Sequence, residues 1–285
     1  MTKPFRWSLA KHEQLGSWPD TQDSSLNEAF LTDLREASAR VLSFSGDARL
    51  AFIGRTPENL FDYLSGAFAE VSNAPKVHLV QYSLRWAGTG GVEALPQHKV
   101  DALFDYFREE GIAPETIASS RQRTALVDFV AYGGTMQTFV GLLKRQAAQD
   151  GTDWNSVQRK LMIVGLTTRG KNSPNHWRWQ QHQDWLRDIP DAVIKNVSVP
   201  WGFIIPLAND APKVTHSFHP GRWGEETGQR RYTPTEDQLK GLSIALKLFN
   251  LGNSKPERRT LAREIADTDG MREASVRKLV LNLKR

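Results

Sequence analysis

The sequence predicts an α/β fold: a parallel sheet flanked by helices, with a C-terminal helical subdomain. Three observations carry this. Between about residues 50 and 170, short apolar β-branched runs alternate with segments of helical spacing, joined by short loops. One run, Leu126–Val130, passes through a Gly133-Gly134-Thr135 turn into a segment whose apolar positions change to Met136, Phe139, Val140 and Leu143, the switch from strand to amphipathic helix. Beyond a Gly-, Arg- and Thr-rich stretch at 221–234, the remaining pattern is helical. The division expected is a lead and helix over 1–44, an α/β domain over 45–220, and a basic helical subdomain over 233–285.

In chain order, residues 1–23 form an irregular lead with Trp7, Trp18 and Pro19. A helix is expected after Ser24 or Ser25, with Leu26, Phe30, Leu34 and Ala37 on one face, ending before the Ser45-Gly46-Asp47 turn. Leu50–Ile53 is a buried parallel strand. Thr56-Pro57 starts the next helix, because proline lacks the amide that a first turn leaves unbonded anyway. Val77–Leu84 is a second strand, followed by a Gly-rich loop with Arg85. Val100, Leu103, Phe104 and Phe107 define a helix from 98 to 108, stopped by Gly111. Lys160–Leu166 and Ala192–Val199 are two further strands, and a helix is expected to run from about 171 to 187 between them. Thr235 caps a helix with Leu239, Leu242, Leu246 and Phe249. Pro256 opens another helix, and Arg272–Leu283 is the last.

Composition excludes several classes. With 39% hydrophobic and 24% charged residues among 285, the chain supports a substantial core. There is no cysteine, so disulfides, thiolate metal sites and cysteine nucleophiles are absent. The longest apolar runs are too short to span a bilayer, and Met1–Ser8 lacks the apolar core of a signal peptide; a cytoplasmic protein is expected. From Asn253 to Arg285 there are nine Lys and Arg against five Asp and Glu, so most of the formal charge of +5 sits there. Such an end suits an anionic partner or a solvated face.

The central segment, Arg123 to Arg145, carries the functional expectation. Amides of Ala131, Tyr132, Gly133, Gly134 and Thr135 precede or open a helix, where backbone N–H groups and the helix dipole favour a phosphate. Two glycines leave the approach unobstructed. Asp128, near the strand end, is placed to accept bonds from sugar hydroxyls. This segment resembles the phosphoribosyl-diphosphate loop of the type I phosphoribosyltransferases, in which an apolar strand with two adjacent acids leads through a Gly-Gly-Thr or Gly-Gly-Ser turn to a helix. Asp128 matches the second acidic position. Val127 stands at the first, a departure from the pattern. The resemblance covers about 45–205.

It implies that Asp128 meets the ribose hydroxyls and that the turn meets the 5′-phosphate. Gly54, Arg55 and Thr56 match the family's diphosphate loop. The loop after the second strand would close over the substrate, with Arg85 and Lys99 lending positive charge to the leaving diphosphate. Magnesium would bind mainly through diphosphate oxygens, with no dedicated protein cage. Trp201 and Phe203, after the fifth strand, are candidates for stacking on a base. The activity implied is transfer of ribose 5-phosphate to or from a nitrogen nucleophile. A non-catalytic nucleotide-sensing regulator stays open: the C-terminal helices loosely resemble a helix-turn-helix unit, with Arg272, Ser275, Arg277 and Lys278 as its nucleic-acid face. An interaction or effector protein with a vestigial pocket is a third reading, and a homo-oligomer is compatible with all three. Neither the dinucleotide fingerprint nor the Gly-x-x-x-x-Gly-Lys-Ser/Thr phosphate loop occurs.

Overall fold

A computed structural model describes residues 4–11, 15, 26–84, 91–173, 177–225 and 234–285. Its centre is a five-stranded, all-parallel sheet formed by β1 (Arg49–Ile53), β2 (Val77–Val80), β3 (Thr124–Phe129), β4 (Leu161–Thr168) and β7 (Val193–Val199). The spatial order is β2-β1-β3-β4-β7. The chain therefore moves outward to β2, then returns across β1 and continues the other way from β3. The two directions diverge between β1 and β3, which pair from Arg49↔Thr124 to Phe52↔Val127. In open α/β sheets, ligands bind outside the carboxyl ends of the strands at such a reversal.

Alternation along each strand sends side chains to two cores. Leu50, Phe52, Ala125, Val127, Val164 and Leu166 face one cluster, and Ala51, Ile53, Leu126 and Ile163 face the other. The first cluster is closed by α1 (Glu28–Ser45), α2 (Glu58–Phe68), α7 (Trp201–Asn209), α8 (Glu236–Asn253), α9 (Lys255–Ala266) and α10 (Ala274–Lys284). The second is closed by α3 (Gln97–Glu109), α4 (Pro114–Ser119), α5 (Gly134–Asp150) and α6 (Trp154–Gln158). Among the described residues, no helix is long and apolar enough to cross a membrane.

The C-terminal helices share the core of the sheet: Leu248, Leu261, Ile265, Val276, Leu279 and Leu283 join the cluster that contains Phe52 and Val164. Helix α8 seals against α2, where a side chain at Gly66 would collide with the Phe249 carbonyl. Arg35 on α1 holds Glu257 on α9 through Nε at 2.6 Å and Nη2 at 3.1 Å, and the Tyr63 hydroxyl on α2 donates to the same carboxylate at 2.8 Å. The lead segment closes a third, smaller cluster in which Trp7 and Leu9 pack on Leu242 and Phe249. Trp18 lies outside the described residues.

The capping chemistry follows the sequence. Asn27 caps α1 by accepting from Ala29, and Thr235 caps α8 within a reciprocal pair with Gln238. One expectation is overturned. In place of a helix from 171 to 187 there are a short antiparallel pair, β5 (Asn172–Ser173) with β6 (Trp177–Arg178), and two 3-10 turns at Trp179–His182 and Asp184–Asp188. Between the inward-turned Trp179 and Leu186, the positions one turn along are His182 and Gln183, so no continuous apolar stripe supports a helix.

Candidate functional site

At the β1–β3 divergence lies a cavity of about 340 Å³, lined by Ile53, Gly54, Arg55 and Thr56 after β1 and by Tyr82, Ser83 and Leu84 after β2. Asp128, Gly134 and Thr135 line it from β3 and the head of α5, and Ala208, Lys213 and Ser217 from α7 and the segment beyond. Its size lies within the range of small-molecule sites.

The turn from β3 into α5 is fixed by one glycine and left open by the next. Gly133 caps the helix with φ of 85°, a left-handed conformation, and a Cβ there would lie 3.1 Å from the Trp179 ring. Trp179 is fully buried, and its Nε1 donates to Asn196 Oδ1 at 2.8 Å. Asn196 donates in turn to Asn172 Oδ1 at 2.9 Å, and Asn172 to Ser198 Oγ at 2.7 Å. This chain braces the turn from beneath. A Cβ at Gly134, by contrast, would meet nothing within 4 Å. No side chain caps α5, so the N–H groups of its first turn are available to a ligand. Gly134 and Thr135 are exposed. Ala131 is half-buried, while Tyr132 is exposed and carries Lys171 Nζ 4.0 Å over its ring.

Asp128 is 5% exposed. Burial pushes its carboxyl well above the ordinary carboxylate range, against the opposing effect of a hydrogen bond from the Phe129 amide. Sugar hydroxyls donating to it would recover part of that desolvation cost. Val127, at the position where the resembled loop carries an acid, faces the opposite way and is fully buried in the first core cluster.

The loop after β1 supplies a cation. Arg55 Nη1 donates to the Thr215 carbonyl at 3.3 Å, which holds the guanidinium along the cavity wall. The following helix begins with Glu58, buried and bonded to Arg6 Nε at 3.3 Å. Arg6 also donates to Asp62 Oδ1 at 2.6 Å. Near this group stands Lys213, which no sequence motif had marked. Its Nζ donates to the Leu207 carbonyl at 2.7 Å. Burial lowers the ammonium's pKa to about 8, with Arg55 pushing the same way and Glu58 and Asp62 opposing.

Several sequence candidates fall elsewhere. Arg85 lies outside the described residues. Lys99 is engaged by the Gly221 and Trp223 carbonyls and by Glu225 at 2.5 Å, and does not line the cavity. Trp201 and Phe203 open α7, which follows the edge strand β7, so the sheet order holds them away from the β1–β3 divergence. Phe203 is buried with its ring 5.4 Å from that of Phe30, and Trp201 is exposed. Only Ala208, near the far end of α7, reaches the cavity.

Arg272, Ser275, Arg277 and Lys278 lie on or beside α10. Arg272 pairs with Asp269 at 3.2 Å, and Arg277 Nη1 caps the carbonyls of Met271 and Arg272 at 2.8 and 2.7 Å. Ser275 lies against Gly46, and Lys278 is exposed. Among the described residues, no group of three or more His, Asp or Glu side chains is arranged to hold a metal ion. No protein-family model and no curated protein sequence matches the chain.

Proposed function

We propose that this cavity binds a ribose 5-phosphate ester, phosphoribosyl diphosphate above all, and supports transfer of the ribose phosphate to or from a nitrogen nucleophile. The observation that carries the reading is the convergence of three separately predicted loops, after β1, β2 and β3, on one cavity at the strand reversal. The 5′-phosphate sits on the amides of Gly134 and Thr135, the ribose hydroxyls on Asp128, and the diphosphate beside Arg55. These groups position the ester and stabilise the charge that develops as diphosphate leaves. Asp128 is the one carboxylate lining the cavity among the described residues. A donor set with a single carboxylate fits a magnesium ion carried mainly on ligand oxygens, with Asp128 close by; such an ion would neutralise diphosphate charge.

Calorimetric titration with phosphoribosyl diphosphate, with and without Mg²⁺, tests the reading. Saturable binding that falls roughly tenfold or more in Asp128→Ala, the loss expected when the hydrogen-bond partner of the ribose hydroxyls is removed, is the expected result. Absence of binding, or equal affinity in the variant, refutes it.

A further inference from the structure

Lys213 lies in the segment after α7, outside every loop that the phosphate-binding pattern marks, yet it lines the cavity together with Arg55. Among the described residues its Nζ makes one hydrogen bond, to the Leu207 carbonyl. An ammonium has three donors to place. Glu58 and Asp62 are near enough to act on it electrostatically, but both are bonded to Arg6, and neither lies within ion-pair distance of Nζ. The amine is thus held in place by one acceptor while its remaining bonding capacity is unused, next to a second cation and facing an open cavity. A half-buried pair of like charges is relieved by an anion placed between them.

We propose that Lys213 sets the ligand preference of this cavity: with Arg55 it clamps the second anionic group of a ligand whose first sits on the Gly133–Thr135 turn. The ligand class is a sugar phosphate with a further phosphate or diphosphate at its other end, in preference to a simple monophosphate. This rests on the phosphate-binding reading above and adds a residue and a proton to it.

In the empty cavity at pH 8.5 the amine is largely neutral, since burial holds its pKa near 8. An arriving anion favours the ammonium and draws a proton from solvent. The other ionisable groups around it are Arg6, Arg55, Glu58, Asp62 and Asp128, with His216 and Arg222 farther along the same segment; His216 is held below the ordinary histidine range by burial and by Arg222 and Arg55. The ligand's own titration and the groups that do not interact with Lys213 cancel in the difference between wild type and a Lys213 variant. Asp62 feels the Lys213 charge, so the proton count is also compared with Lys213→Arg, which keeps that charge.

The test is calorimetry with phosphoribosyl diphosphate and with ribose 5-phosphate at pH 8.5, in two buffers of different ionisation enthalpy. Lys213→Met should weaken the diphosphate ester roughly tenfold or more, as expected for a lost charged hydrogen bond, and ribose 5-phosphate by less than about twofold. Wild type should take up on the order of half a proton more than Lys213→Met. Lys213→Arg, charged throughout, should keep the affinity and lose the extra proton, which also separates the effect from misfolding.

If the diphosphate ester binds and depends on Asp128 but is indifferent to Lys213→Met, this inference is overturned and the binding site stands. Equal loss for both ligands, or an unchanged proton count, overturns it as well. Failure of wild type to bind either ligand overturns both.

Discussion

Two strand-loop-helix turns face each other across the cavity and treat negative charge in opposite ways. The turn from β3 into α5 ends in exposed glycine and threonine, and its helix N-terminus carries no cap. The turn from β1 into α2 has Pro57 at its cap, and the first helical residue is a buried glutamate. At α5 the dipole and the amides are left for a ligand. Helix α2 likewise has no side-chain cap, but its N-terminal half carries two carboxylates, Glu58 and Asp62, which are paired with Arg6. To this turn Arg55 adds a side-chain cation at the cavity. A phosphate-type turn therefore cannot be recognised from strand, loop and helix alone; what occupies the first helical turn decides.

The sharpest way to break this contrast is at the paired glycines. Gly134→Val places a side chain into open space at the cradle and should abolish phosphate-ester binding, a loss of roughly thirtyfold or more, corresponding to about 2 kcal/mol. Its effect on stability should stay within about 1 kcal/mol, the scale of a helix-propensity change. Gly133→Ala forces a Cβ into a left-handed conformation beside Trp179 and should destabilise the fold by roughly 1–3 kcal/mol. Urea unfolding alongside calorimetry separates the two. Identical behaviour of the variants would erase the distinction between a glycine that shapes the turn and one that leaves it open.

Next in size is the cation opposite. Arg55→Ala should weaken phosphoribosyl diphosphate by roughly tenfold to a hundredfold, the range for lost charge-assisted bonds, while ribose 5-phosphate stays within about threefold. An equal loss for both ligands would mean that the two turns do not divide the anion as described.

Much of this arrangement was legible in the sequence because it is local. The apolar runs at 50–53, 126–130, 160–166 and 192–199 became strands, and the loops after β1, β2 and β3 became the cavity wall, because strand direction alone carries every β-to-α loop of a parallel sheet to one edge. The illegible parts depend on contacts distant in sequence. Lys213 is an ordinary lysine until α7 turns back toward β1. Trp179 gave no signal of its role because its partners, Gly133 and Asn196, are set by sheet order. Trp201 and Phe203 looked suited to a base because they follow a strand, but β7 is the edge strand and Phe203 is needed by the core. The C-terminal helices invited a nucleic-acid reading from their charge and a loose helix-turn-helix resemblance; in the structure their apolar faces serve the sheet, and Arg277 is engaged by two carbonyls of its own chain.

The smallest expected effect concerns the acids of α2 that Arg6 pairs. Two carboxylates share the Arg6 guanidinium, and burial, with repulsion from Glu58, pushes Asp62 up to about 7 despite Arg6. An acid whose pKa is raised in the folded state binds its proton more tightly there than in the unfolded chain. Its contribution is therefore complete below the unfolded value of about 4 and is lost as pH rises through about 7. Asp62 should thus tilt the unfolding free energy downward between roughly pH 4 and 7, by at most about 1.4 kcal/mol per pH unit. Asp62→Asn, which keeps the shape and a hydrogen-bond acceptor for Arg6, should flatten that slope relative to wild type in urea titrations at pH 4.5, 5.5 and 6.5. Groups that do not interact with Asp62 contribute equally to both proteins and drop out of the difference, which therefore reads Asp62 together with its partners Arg6, Glu58 and Lys213. A slope unchanged by the substitution would mean that Arg6 keeps both carboxylates ionised, and that the α2 end is a settled ion pair with no spare proton. The two turns would then differ in geometry alone.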